Sequence, residues 1–260
     1  MSQLIEKIKK QSEAPQIQMG FRRTLPASTP PSILLIAKVN IDEAGPSLKD
    51  IEGADAVLLD AANFELTAKS LPKIVKPLGE TPWGIFLEES KDTAEALDST
   101  GYDFAVLSPA SSIAAAPKNE KTGKILQVES SMDDGLMRAL NDLPVDAVLV
   151  TDSFGEGNTL VYHHLMILRY LAMLVRKPLI VPVPASISSD ELKALWDAGV
   201  EAVLVPVDLS KNENLKALHE AAVKLPPRTA HKDKKIDVFL PHPGEKKEAP
   251  PPEEEEEDEP

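Results

Sequence analysis

Eight short runs of Val, Ile and Leu, most of them separated by helix-length segments, constrain this chain more than any other feature. They are SILLIAKV (32–39), DAVLLD (55–60), WGIFLEE (83–89), DFAVLS (103–108), KILQVES (124–130), DAVLVTD (146–152), PLIVPVP (178–184) and EAVLVPV (201–207). Continuous apolar runs of this length belong to strands covered on both faces, the habit of parallel sheets. Parallel neighbours need crossovers. ESKDTAEALDSTG (89–101), SMDDGLMRALNDLP (131–144), TLVYHHLMILRYLAMLVRK (159–177), SSDELKALWDAG (188–199) and SKNENLKALHEAAVKL (210–225) supply them, with apolar residues at three- and four-residue spacing behind Ser, Thr or Asp. Two connections are weaker. PASSIAAAPKNEKTG (109–123) holds a proline and a charged turn, and only PSLKDIEG (46–53) joins the first two runs. The expected fold is an α/β (βα)8 barrel with a closed parallel sheet and some helices trimmed.

The second, fourth, sixth and eighth runs share their approach: EGADAVLLD, TGYDFAVLS, LPVDAVLVT and AGVEAVLVP each carry an acidic residue, at 55, 103, 146 and 201, just before the apolar stretch. The spacing suggests four strand-helix-strand-helix quarters. It equally suits any parallel strand entered from a helix.

Residues 1–31 read as a helix over 1–12, placed to plug the barrel floor, and a Pro-rich lead; 32–225 form the barrel; 226–260 form a linker and a Pro/Glu-rich tail. The tail is expected to be disordered from about Gly244, because it cannot bury enough apolar surface to order itself. It also distorts the charge. Of the formal −14, residues 253–259 contribute seven acidic groups, leaving −7 elsewhere. A mildly acidic fold without an arginine-rich face argues against nucleic acid as a partner. The absence of cysteine removes thiol nucleophiles, disulfides and cysteine-held metals. The N-terminal segment lacks a signal-peptide core, and the longest apolar stretch, 165–175, is broken by Arg169. A cytoplasmic protein, with no membrane partner, is expected.

The unit VPVPASISSDELKALWDAGVEAVLVPVD (181–208) resembles the phosphate-binding TIM-barrel superfamily, which includes indole-glycerol-phosphate synthase, the histidine-pathway isomerases and flavin-dependent barrels. The shared features are a strand, a Ser-rich helix start, an Ala-Gly-Val-Glu turn and a second strand. The resemblance implies an anion site where strands seven and eight end, at glycine turns whose amides close on a phosphate. This chain departs there. Pro184-Ala185-Ser186 and Pro206-Val207-Asp208 stand in place of the glycines; proline has no N–H, and Asp208 has the wrong charge. The phosphate motif is degenerate, although Ser186, Ser188 and the helix start at Ser189 could hold a weaker anion.

Barrel enzymes carry their chemistry at the C-terminal ends of strands. There this sequence places Lys38, Asn40, Asp60, Asn63, Glu88, Ser108, Glu129, Thr151 and Asp152. Lys38, Glu88, Glu129 and Asp60 are the candidate catalytic set: a lysine among carboxylates can act as a base or Schiff-base nucleophile while a carboxylate moves protons. The same groups would also serve as an ion-pair network without catalysis. Asn40, Ser108, Thr151, Asp152, Ser186 and Ser188 are the candidate substrate contacts. The loop TDSFGEGNT (151–159) reads first as a turn with an N-cap at Asn158 or Thr159, without excluding an anion cradle or flap. His163 and His164, adjacent on a helix, project about 100 degrees apart and do not chelate one ion. Asp60, Glu129 and Asp152 could hold magnesium, but surface aspartates are commoner, so no metal is assigned. No motif names a cofactor.

The expected activity is that of a lyase or isomerase acting on a small anionic or carbonyl metabolite. The rival is a non-catalytic barrel serving as a binding or scaffold protein after loss of the phosphate-binding glycines. A small-molecule ligand and a homo-oligomer are both compatible with the sequence.

Overall fold

A computed structural model describes residues 1–12, 33–41, 51, 53–60, 71–87, 100–151, 159–207 and 213–226. The chain divides into a compact unit, Met1–Arg228, and a second, Thr229–Pro260. The second unit, with the disorder expected from Gly244, lies outside the described residues. So do the helix expected over 89–101 (all but its last two residues) and most of the first connection.

Strands β1 (Leu34–Asn40), β2 (Ala56–Asp60), β3 (Trp83–Leu87), β4 (Phe104–Leu107), β5 (Gly123–Glu129), β6 (Ala147–Thr151), β7 (Leu179–Pro182) and β8 (Ala202–Pro206) close into one barrel in chain order. Every pairing is parallel, and β8 returns to β1. This is a TIM barrel. All eight apolar runs are strands. Among the described residues the helices are α1 (Gln3–Ser12), α2 (Leu71–Val75), α3 (Asp134–Ala139), α4 (Tyr162–Leu174), α5 (Ser189–Ala198) and α6 (Glu213–Val223). The connection 109–123 holds only a 3-10 turn, Ile113–Ala115, as its proline and charges led one to expect. The short α2 was not among the expected helices; Pro72 and Pro77 break up its apolar pattern.

Alternate residues of the strands form two separate cores. Leu34, Ile36, Leu58, Phe104, Val106, Ile125, Leu149, Ile180 and Leu204 gather with Leu4, Ile5 and Ile8 of α1 inside the barrel. Leu35, Ala37, Val57, Leu59, Val148, Val181 and Val203 pack outward beneath helix residues such as Leu168, Leu171, Leu195 and Trp196. This period of two fixes which side chains face inward along each strand.

α1 plugs the floor. Its Leu4, Ile5 and Ile8 are at most 1% exposed, and glycines on the strands make room for Ile5 and for the Phe104 ring. A Cβ on Gly123 would stand 2.8 Å from Ile5, and one on Gly84 would stand 2.4 Å from the Phe104 ring. Asp103, just below β4, accepts hydrogen bonds from the Ser2 hydroxyl at 2.7 Å and from the Gln3 and Leu4 amides at 2.7 and 3.0 Å.

The other three members of the acidic repeat have a common task. Asp55 accepts the Leu35 amide at 2.9 Å, Asp146 the Lys124 amide at 3.0 Å and Glu201 the Leu179 amide at 2.7 Å. Each acid thus satisfies an N–H at the start of the preceding strand, a donor that would otherwise be lost at the floor.

Candidate functional site

The alternation that buries Leu34 and Ile36 inside the barrel carries Lys38 and Asn40 to the inner side of the mouth. On β2 it does the same for Asp60, above Ala56 and Leu58. Since β1 and β2 pair with Asn40 opposite Asp60 and Lys38 opposite Leu58, the Lys38 side chain rises diagonally to its neighbour. Its Nζ lies 2.7 Å from Asp60 Oδ2, with the lysine side chain 37% and the aspartate side chain 16% exposed. This partly open pair anchors the candidate site on the β1–β2 side of the mouth.

The rest of the mouth is less concentrated than the sequence suggested. Glu129, at the end of β5, is exposed and takes the Ser131 hydroxyl at 3.5 Å; Lys38 meets Asp60 instead. Thr151 stands opposite Glu129 and donates its hydroxyl to the Val128 carbonyl at 3.0 Å. Ser108 accepts the Ala110 amide at 3.3 Å, closing the turn after β4. Asn40 is exposed. Glu88, Asp152, Asn63 and Asp208 lie outside the described residues. One polar group passed unnoticed in the sequence: Gln127, half-buried in β5 on the same face as Ile125 and Glu129. Its signal was a lone amide two residues before Glu129 in an otherwise apolar run.

At the β7–α5 turn the two serines part company. Ser188 is the N-cap of α5. Its hydroxyl accepts the Glu191 amide at 3.2 Å and donates to Glu191 Oε2 at 2.8 Å, while its own amide donates to the same carboxylate at 2.9 Å. These bonds, led by that from the Ser188 amide, hold the Glu191 carboxyl below its ordinary pKa. Ser188 is therefore engaged in a capping box, which leaves it little to offer a ligand. Ser186 is exposed and borders a groove of about 270 Å³ with Ala185, Ile187 and Ser189 on one side and Ala217 and Ala221 of α6 on the other.

The N-cap expected at Asn158 or Thr159 is corrected. α4 starts at Tyr162 with Val161 as its cap residue, and His164 Nδ1 accepts the Val161 amide at 3.3 Å. The imidazole takes the place of the N3 carboxylate of a capping box, reaching back to the N-cap amide. Among the described residues no group of three or more His, Asp and Glu is placed to hold a metal ion, and no helix is long and apolar enough to cross a membrane.

No protein-family model and no curated protein matches the chain. Solved structures do. A variant tryptophan synthase alpha-subunit from Pyrococcus furiosus superposes with a TM-score of 0.55 at 13% identity, over 74% of this chain and 96% of its own. The native KDPGal structure gives 0.54 at 16% identity, over 79% and 96%. The HpcH/HpaI aldolase from Desulfitobacterium hafniense gives 0.51 at 12% identity, over 75% and 94%. At these identities the likeness is one of fold.

Proposed function

We propose that this barrel is an enzyme of lyase or isomerase type, acting at its mouth on a small anionic or carbonyl metabolite, with Lys38 as the cationic group and Asp60 as its proton-transfer partner. The observation that carries this reading is the Lys38–Asp60 pair: 2.7 Å apart, inside the rim, open on one side. That separation lies within the reach of about 2.6–3.2 Å over which a general acid and base exchange a proton. A lysine amine so placed can attack a carbonyl or hold a carboxylate, and Gln127 and Thr151 offer orienting dipoles across the mouth. An aldolase among the structural neighbours is in keeping with carbonyl chemistry on this scaffold.

Kinship with the phosphate-binding barrels would survive only as architecture. Pro182 and Pro206 end β7 and β8, where proline offers no amide to a phosphate. Val207 donates its amide to the Lys38 carbonyl at 2.9 Å, so one further donor of this region is engaged. An anion should accordingly bind nearer β1 than β7 and β8. The second reading, a non-catalytic binding barrel, is favoured by the engagement of Ser108 and Ser188 in local turns.

Calorimetric titration with small oxo-acids, sugar phosphates and FMN, repeated on Lys38→Ala and Asp60→Asn, separates these readings. An enzyme should lose binding in Lys38→Ala and lose turnover more than binding in Asp60→Asn. Borohydride trapping of a carbonyl ligand, read by mass spectrometry, reports whether Lys38 forms an imine. Tight binding that survives loss of Lys38 overturns the assignment.

A further inference from the structure

A helix on the outside of such a barrel needs one apolar stripe toward the strands and a polar face toward water. α5 obeys this: Leu192, Leu195 and Trp196 are buried, while Ser189, Asp190, Lys193 and Asp197 are exposed. α4 does not. Ten of the thirteen residues in YHHLMILRYLAML are apolar, and Leu168 and Leu171 already serve the core. On the outer side Tyr162, Met166, Tyr170 and Met173 are 87%, 70%, 45% and 73% exposed. Their spacing of four, four and three sets them in one row about 16 Å long. Leu136 on α3 is exposed by 59%, and the Tyr170 hydroxyl donates to Asp134 of the same helix, which ties α3 to the row and pins the Tyr170 ring.

We propose that this face of α4 is a two-fold interface between two copies of the chain, packed antiparallel. Two arguments select a second copy as the occupant. The first is order. Read from either end, tyrosine and methionine alternate, so an axis near Leu168 sets Tyr162 against the partner's Met173 and Met166 against the partner's Tyr170. Every level then pairs a thioether with an aromatic ring, a favourable contact, and the patch is complementary to itself, as a two-fold interface must be. The second is area. The five exposed side chains offer on the order of 500 Å² of apolar surface, at the upper end of what a monomer leaves bare. With His163 and Arg169 at the edges as a polar rim, the face approaches the roughly 800 Å² per partner of a stable dimer. Tyr170, already held by Asp134, gives up little freedom on association. The inference is independent of the mouth chemistry.

Sedimentation equilibrium of the full chain tests it, with Met166→Lys and Tyr170→Glu variants whose circular dichroism confirms an unchanged fold. The wild type should be a dimer. Either substitution acts twice across the axis and should raise the dissociation constant at least about tenfold. An equimolar mixture of the two variants should recover dimers, because the antiparallel register sets the introduced charges opposite one another. A wild type that stays monomeric up to about 100 μM, a dimer indifferent to both substitutions, or a mixture no tighter than its components would each overturn the proposal.

Discussion

Replacing Asp103 by alanine should detach the plug helix from the barrel floor. The carboxylate receives three donors from the start of α1: the Ser2 hydroxyl at 2.7 Å and the Gln3 and Leu4 amides at 2.7 and 3.0 Å. An acceptor of helix-start amides is worth about 0.5–2 kcal/mol, a negative charge at a helix N-terminus about 0.3–1 kcal/mol, and the hydroxyl bond about 1 kcal/mol. Together these give a loss of about 2–4 kcal/mol. At about 2–4 °C per kcal/mol for a domain of this size, the melting temperature should fall by roughly 4–16 °C. α1 is ten residues long, below the length at which a helix holds itself in water, so it depends on this anchorage and on the burial of Leu4, Ile5 and Ile8. Hydrogen exchange should show the loss locally: the amides of α1 lose protection first, while those of β1 keep theirs. Asp146→Ala is the control. It removes one bond, to the Lys124 amide at 3.0 Å, and should cost about 1 kcal/mol. Equal losses for the two variants, or unchanged protection of α1, would refute the reasoning.

Gly199 ends α5 at φ +113°, and a Cβ there would stand 2.6 Å from Ala172 Cβ; Gly199→Ala should cost about 2–5 kcal/mol in a urea titration, combining left-handed strain with overpacking. Gly79→Ala, at φ +61° and ψ −119° with open space around it, should cost only the backbone part, about 1–3 kcal/mol. The Glu191 carboxyl is held below its ordinary pKa by the Ser188 amide and hydroxyl, so its stabilising effect is complete above the unfolded carboxylate pKa and is lost as pH falls through the lower folded one. The urea midpoints of wild type and Glu191→Gln should therefore converge in acid, and a gap that is constant from neutral to strongly acidic pH would count against the capping box. The Tyr170 phenol is raised above its ordinary pKa, chiefly by its hydrogen bond to Asp134; ultraviolet titration of Asp134→Ala should show one tyrosine ionising at lower pH than in the wild type.

The strands were legible because a run covered on both faces needs apolar residues throughout, and nothing else in a globular chain of this kind repeats eight times in that form. The same property hid the register. In DAVLLD every residue between the acids is apolar, so the sequence does not say which side chains enter the barrel. Lys38 and Asp60 both stand out at strand ends, but so do Glu88 and Glu129, and nothing in the runs says which carboxylate the lysine meets. Pairing of β1 with β2 instead brings a lysine and an aspartate from adjacent strands together. The outer face of α4 was legible only in part. The apolar stretch 165–175 stood out by length, but which of its residues faced outward depended on where the helix packed.

The acids on these strands fall into two kinds, and position relative to the apolar run separates them. Asp55 precedes β2, and Asp60 is the last of its five residues. Asp55 lies below it, beside the start of the preceding strand, where its carboxylate takes up the Leu35 amide. Asp146 and Glu201 do the same for Lys124 and Leu179, and Asp103 turns the device toward a helix. An acid at this position answers to the backbone, which is why it recurs in every quarter of the chain. Asp60 ends the strand at the mouth and meets a side chain, Lys38, that no other quarter supplies in the same place. A group required by the backbone of any such barrel repeats with the fold, whereas one required by a particular ligand has no reason to repeat. On that ground the Lys38–Asp60 pair, unrepeated and partly open, is the place to look for chemistry.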